Sequence, residues 1–162
     1  MADATSDRYC PTCGLATSAD HCPDDGVATV QRTRLDGDAS AVHVGDLVAG
    51  RYRISGVLGR GGFGAVYQAE HTGTRQQVAI KMMLSDDAGG SEEEVRRFFR
   101  EAQITAALRH PNTVRVFDVG QTDAGALFIA MEMLHGDTLE KSLRDFSSDG
   151  QVMKEQQVVS VA

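Results

Sequence analysis

Long apolar stretches are missing from this chain. Nothing in its 162 residues approaches the roughly 18–20 apolar residues that a helix needs to cross a bilayer, so no membrane segment is expected within it. The opening run Met1-Ala-Asp-Ala-Thr-Ser-Asp7 has no basic start and no apolar core, and does not read as a secretory signal. A cytoplasmic, reducing location is the expectation that follows. Excess positive charge is also missing. The net charge is -7 and the pI near 5.1, which argues against a general nucleic-acid binder, since such a protein carries a basic patch. Cysteine is scarce: three residues, all between positions 10 and 22. Thiols clustered in this way point to a metal site sooner than to a disulfide framework. No internal repeat is visible.

The charge that is present is uneven. Residues 1–49 hold eight Asp and three Arg, and so supply -5 of the -7. That asymmetry suggests units with different jobs. Residues 8–27 form a compact cysteine-containing segment, and 28–49, rich in Asp, Ala, Thr and Gly, read as an acidic linker. From Arg51 onward the pattern changes. Alternation predicts strands over Tyr52–Leu58, Ala65–His71 and Gln77–Leu84, with a glycine-dense turn at 59–64. Ser91 and Glu94 have the spacing of a capping box, and Val95, Phe98, Phe99, Ala102, Ala106 and Leu108 follow at helical intervals until Pro111. Two more strands are expected over Thr113–Val119 and Ala126–Met133, then a short helix over Asp137–Arg144. Val152, Val158, Val159 and Val161 suggest the start of a further helix.

Gly59, Gly61 and Gly64 form G-x-G-x-x-G. Phosphates need close approach by backbone N–H groups, which glycine permits. Alone, the motif also fits a dinucleotide-binding fold or a plain hairpin. A dinucleotide fold requires a helix to begin within the glycines, whereas Ala65-Val-Tyr67 continues as strand. No G-K-[ST] ending is present. Instead, Val78-Ala-Ile-Lys81 follows in the next strand.

With these two motifs in this order, the sequence resembles the eukaryotic-type (Hanks-type) protein serine/threonine kinases of bacteria. The resemblance covers residues 51–162. It implies an α+β fold: a kinase N-lobe, with a five-stranded antiparallel sheet and one long helix, followed by the first C-lobe helices. It gives Lys81 the role of holding the α- and β-phosphates of ATP, with Mg2+ as the accompanying ion. Leu58, Gly59, Arg60, Gly61, Gly62, Phe63 and Gly64 would form the flap over the nucleotide, and Val66 and Ala79 would roof the base. A glutamate from the long helix must steady the lysine. Glu92, Glu93 and Glu94 are explained by the helix dipole, so Glu101 is the candidate; the plainer alternative is a surface pair with Arg97. Met131 would back the adenine pocket, and Glu132 and Leu134 would offer backbone groups to its edge, although Met131 could equally be a core residue. His110, in Leu108-Arg-His-Pro-Asn112, is expected to organise a turn rather than act as a base.

The family's H-R-D-x-x-x-x-N and D-F-G do not occur. The expectation is therefore a truncated kinase domain that retains part of the nucleotide clamp, lacks the base and the Mg2+ ligands, and is inactive alone. In an intact homologue the reaction would be transfer of the ATP γ-phosphate to protein Ser or Thr. The rival reading is a non-catalytic module that binds ATP or a partner kinase.

Tyr9-Cys-Pro-Thr-Cys-Gly14 is a C-x-x-C knuckle of the kind that opens a zinc ribbon. His21-Cys-Pro-Asp-Asp-Gly26 would be the second knuckle, with Asp25 where another cysteine would fall. Cys10, Cys13 and Cys22 with Asp25, or with His21, make a candidate Zn2+ site. The alternatives are a ribbon that has lost its metal and a redox pair at Cys10 and Cys13. The segment resembles short zinc-ribbon-like stretches that precede some bacterial kinases.

Overall fold

The computed structural model describes residues 7–32, 42–61, 64–83 and 91–148. Its main sheet is antiparallel and has six strands: β4 (Leu47–Val48), β5 (Tyr52–Gly61), β6 (Gly64–His71), β7 (Gln77–Met82), β8 (Val116–Gln121) and β9 (Leu127–Glu132). Their order is β4-β5-β6-β7-β9-β8. The five expected strands are all present. The sixth, β4, is two residues contributed by the segment whose composition reads as linker.

Alternation decides which face each strand buries. Ala65, Tyr67 and Ala69 of β6 pair with Met82, Ile80 and Val78 of β7, and all six are buried. Ile80 and Met82 continue across to Ala130 and Phe128 of β9. These residues share one core with Val48, Tyr52 and Ile54. Among the described residues no helix contributes to it. The sheet instead curls over its own face, as the right-handed twist of strands permits. Tyr52 on β5 meets Phe128 edge-on, with ring centroids 6.0 Å apart. Its hydroxyl donates to Asp118 Oδ2 on β8 at 3.0 Å, and Arg51 Nε reaches the same oxygen at 3.0 Å. Asp118 therefore ties strands separated by three others. Asp118→Ala is expected to lower stability by about 1–3 kcal/mol, because it strands the Tyr52 hydroxyl and the Arg51 guanidinium; urea unfolding measures it.

Helix α1 (Glu92–Ala107) begins with the expected capping box. Glu94 N donates to Ser91 Oγ at 3.2 Å, and Ser91 N to Glu94 Oε2 at 2.7 Å. Ser91→Ala should cost about 1 kcal/mol, seen as a lower urea midpoint with an unchanged slope. Val95, Phe98, Phe99 and Ala102 form the buried stripe. Leu108 turns extended and ends the helix ahead of Pro111. Helix α2 spans Leu139–Ser148, beginning after Thr138, whose Oγ1 accepts from Lys141 N at 3.2 Å. The further helix expected after residue 150 lies outside the described residues.

A second, smaller sheet has the order β2-β1-β3, from β1 (Arg8–Tyr9), β2 (Ala16–Thr17) and β3 (Val30–Gln31). Its strand pairing runs past residue 27, because Thr29 and Val30 are buried against β1. This unit does not stand apart. Tyr9 and Val30 join Val95, Phe98 and Phe99 of α1 and Leu127 of β9 in a second core. Gln31 N donates to Gln121 Oε1 at 2.8 Å, and Arg32 pairs with Glu92 at 2.9 Å.

Candidate functional site

The β5–β6 hairpin sets the upper edge of the site. Gly59 pairs with Val66 and Gly61 with Gly64, while Gly62 and Phe63 lie outside the described residues. Gly64 sits at φ +132°, a backbone that only glycine adopts without strain. Gly59 and Gly61 differ: a Cβ built on either meets nothing within 4 Å among the described residues, and neither has positive φ. Packing among the described residues therefore does not require glycine at 59 or 61. Leu58, beside them, is largely exposed, as is Arg60.

Lys81 and the residues expected around the base lie on the sheet face opposite the first core. Val66 pairs with Lys81, Lys81 with Ile129, and Ala79 with Met131, so these side chains project to one side. Ala79 is buried, and Val66, Lys81 and Met131 are half-buried. Helix α1 runs along this face and leaves a cavity of about 390 Å³, lined by Lys81, Phe98, Glu101, Ala102 and Met131, among others. Met83 and Ile129, also on its wall, were not singled out from the sequence. They stand two residues from Lys81 and from Met131, so strand periodicity alone was enough to find them.

Lys81 and Glu101 line the same cavity, but no ion pair within 4 Å joins them. Glu101 Oε1 instead accepts from Arg97 Nε at 2.9 Å, one helical turn away, with its side chain 65% exposed. Hydrogen bonding and charge from Glu101 hold the Arg97 guanidinium above its ordinary value. The surface pair that the sequence allowed is thus the partnership found here. Arg97 needs no tertiary contact to reach Glu101, whereas Lys81 must meet it across the cavity.

At the lower edge, Glu132 closes β9, and Leu134 beyond it is 65% exposed. Glu132 N donates to Arg115 O at 2.9 Å, which leaves its carbonyl as the group that could meet a ligand. His110 is occupied within its own turn. Its Nδ1 accepts from Asn112 N at 3.2 Å, and its carbonyl accepts from Thr113 Oγ1 at 2.8 Å.

The thiols converge elsewhere. Ligand atoms of Cys10, Cys13, Cys22 and Asp25 all lie within 4.8 Å of one another. Cys10 Sγ is 3.2 Å from Asp25 Oδ2, and the Cys13 and Cys22 sulfurs are 3.6 Å apart. His21 is not part of this group; its backbone bridges Ala28. Both knuckles are built alike. Gly14 N donates to Cys10 O and Gly26 N to Cys22 O, each at 2.9 Å, with both glycines at positive φ. Thr12 N and Cys13 N point at Cys10 Sγ from 3.4 and 3.5 Å. The Val27 amide holds the Asp25 carboxyl below the usual carboxylate range, keeping it an anion. Three thiols and a carboxylate are an acceptable tetrahedral donor set for zinc.

The protein kinase domain model matches residues 52–162. The chain belongs to the protein kinase family. Residues 52–162 are accordingly the ATP-binding region of a kinase domain. Pkn3, a serine/threonine-protein kinase of Myxococcus xanthus, is 40% identical over 105 residues, which cover 62% of this chain and 18% of that protein. PrkC of Bacillus subtilis, also a serine/threonine-protein kinase, is 42% identical over 98 residues, 60% of this chain and 15% of that one. The kinase domain of Mycobacterium tuberculosis PknI superposes with a TM-score of 0.60 at 32% identity, covering 74% of this chain and 46% of that structure. The chain thus spans under one fifth of these two relatives' length and under half of that kinase domain. No helix among the described residues is long and apolar enough to cross a membrane.

Proposed function

We propose that this chain supplies the nucleotide grip of a serine/threonine kinase, and that the whole protein transfers the γ-phosphate of ATP to Ser or Thr of protein substrates. The observation that carries this reading is the β-sheet register. It sets Val66, Ala79, Lys81 and Met131 on one face beside a glycine hairpin that packing alone does not explain. In this reading the amides of Gly59–Gly64 cradle the phosphates, Lys81 neutralises them, and Leu58, Val66 and Ala79 cover the base. Met131 backs the adenine, and the Glu132 carbonyl and Leu134 amide meet its edge. Glu101 steadies Lys81 after leaving Arg97. Bound Mg2+ would supply charge neutralisation at the phosphates. The aspartate of D-F-G and the asparagine of the catalytic loop do not occur in these 162 residues, so the residues present do not make a Mg2+ site.

These 162 residues alone are expected to bind ATP and to show no phosphoryl transfer above background. Titration with a fluorescent ATP analogue tests the first statement, and labelled-phosphate incorporation into a generic protein substrate the second. Gly59→Ala separates the hairpin's function from its packing. Stability should stay level or rise by about 0.5 kcal/mol, since alanine reduces chain entropy in a strand. Nucleotide affinity should fall roughly tenfold, about one charge-assisted backbone contact. Equal affinity in both proteins would remove the hairpin from the site.

Cys10, Cys13, Cys22 and Asp25 are proposed to hold one Zn2+, supported by the convergence of four ligand atoms at one point. Elemental analysis of purified protein should find close to one equivalent. Under roughly a tenth of an equivalent would leave the segment a ribbon without metal.

A further inference from the structure

The cysteine segment is built against α1, the helix that carries Glu101. Three kinds of contact make the junction. Tyr9, fully buried, and Val30 share a core with Val95, Phe98 and Phe99 on the helix. Arg32 pairs with Glu92 in its first turn. Thr12, inside the first knuckle, accepts a hydrogen bond from Gln103 Nε2 at 3.0 Å through its Oγ1. The backbone N–H of that same Thr12 points at Cys10 Sγ from 3.4 Å. One residue therefore joins a candidate metal ligand to α1, at a position two residues beyond Glu101. A fourth contact is a close approach: a Cβ on Gly14 would lie 2.8 Å from an Arg96 guanidinium nitrogen, so this knuckle glycine lets the helix side chain in.

From this geometry we infer that Thr12 and Gln103 are positioning residues, through which the metal-loaded knuckle fixes α1 and thereby the place from which Glu101 can reach Lys81. The inference rests on the zinc reading above. The physical reason is the size of the segment. Three two-residue strands cannot hold their own shape, whereas a tetrahedral metal fixes both knuckles at once and links metal affinity to folding. With the metal in place, Thr12 and the Tyr9 ring present a rigid surface to the helix. Without it, the surface loosens and α1 keeps only its contacts to the sheet. The cavity lined by Lys81 and Glu101 is also bounded by Phe98, which belongs to the core that Tyr9 joins, and by Ala102. A shift of α1 therefore alters the distance that Glu101 must cover.

The test uses the full chain loaded with Zn2+, with Co2+ as the spectroscopic probe of the ligand set. Amide hydrogen exchange is followed along α1 before and after a chelator removes the metal. Removal should raise exchange of the amides of residues 95–107 by roughly tenfold or more, while the β6 and β7 amides stay protected. Thr12→Val should keep the thiolate-to-cobalt absorption band and one equivalent of zinc, yet lose most of the metal dependence of α1 exchange. Thr12→Ser, which keeps the hydroxyl, should restore it. Zinc bound stoichiometrically, with α1 exchange unchanged on its removal, would overturn the positioning role and leave the metal site standing. Failure to bind Zn2+ or Co2+ would overturn both.

Discussion

Lys81→Met is expected to weaken ATP binding roughly 10–150-fold without lowering the unfolding midpoint. The range follows from the 1.5–3 kcal/mol associated with a hydrogen bond to a charged group. The unchanged stability follows from the surroundings of Lys81. Its neighbours across the sheet are Val66 and Ile129, and none of the ion pairs found among the described residues includes it. Methionine keeps the unbranched stem and packs against the same strands. The ammonium is thus available to a ligand rather than committed to the fold. Glu101→Gln makes the useful contrast. Because Glu101 is paired with Arg97 in this structure, that change should alter the affinity of this chain far less than the loss of Lys81. Calorimetric titration with ATP measures both. Affinity of Lys81→Met within twofold of the parent would remove this side chain from the nucleotide site.

The largest stability effect is expected at Tyr9. Tyr9→Ala should destabilise the protein by about 3–5 kcal/mol, the usual consequence of emptying a buried aromatic site. Tyr9 is fully buried among Val30, Val95, Phe98 and Phe99, with Arg32 stacked 5.2 Å from its ring centre. Tyr9→Phe should behave oppositely. The Tyr9 hydroxyl is buried and finds no hydrogen-bond partner among the described residues. Removing an unsatisfied buried hydroxyl should leave stability level or raise it by about 1 kcal/mol. The same burial, aided by the charge of Glu92, pushes the Tyr9 pKa up to about 12 from an ordinary value near 10. The folded state therefore holds this proton more tightly than the unfolded chain does. The associated stability is complete below about pH 10 and is lost as pH rises through 12. Thermal unfolding between pH 9 and 12 should fall more steeply for the parent than for Tyr9→Phe. Tyr52, raised in the same direction by burial and by Asp118, contributes alike to both proteins and so drops out of the comparison. Parallel curves would show that Tyr9 is solvated.

Much of the architecture was legible because it is written locally. Alternation marked the strands over Tyr52–Leu58, Ala65–His71 and Gln77–Leu84, and Ser91 with Glu94 marked the start of α1. The order of glycine hairpin and V-A-I-K marked the nucleotide strand. The cysteine spacing picked out Cys10, Cys13 and Cys22 and left open whether Asp25 or His21 was the fourth. In the structure the Asp25 carboxylate, which accepts from the Val27 amide, lies 3.2 Å from Cys10 Sγ and His21 is outside the cluster, which supports Asp25 in the proposed site. Residues 28–31 and 47–48 had no such pattern. Two-residue strands carry too little periodicity to be seen, and they form only because neighbouring edges are there to pair with.

The sequence by itself determined the main strands, the helix cap, the glycine hairpin with its lysine, and the cysteine set, since each depends on residues a few positions apart. Only the tertiary structure decided that Tyr52 and Asp118 tie β5 to β8 across the sheet and that the cysteine unit rests on α1. It also decided that Glu101 takes Arg97 rather than Lys81. Those outcomes join residues as far apart as Thr12 and Gln103, and no local window of sequence fixes the path that brings them together.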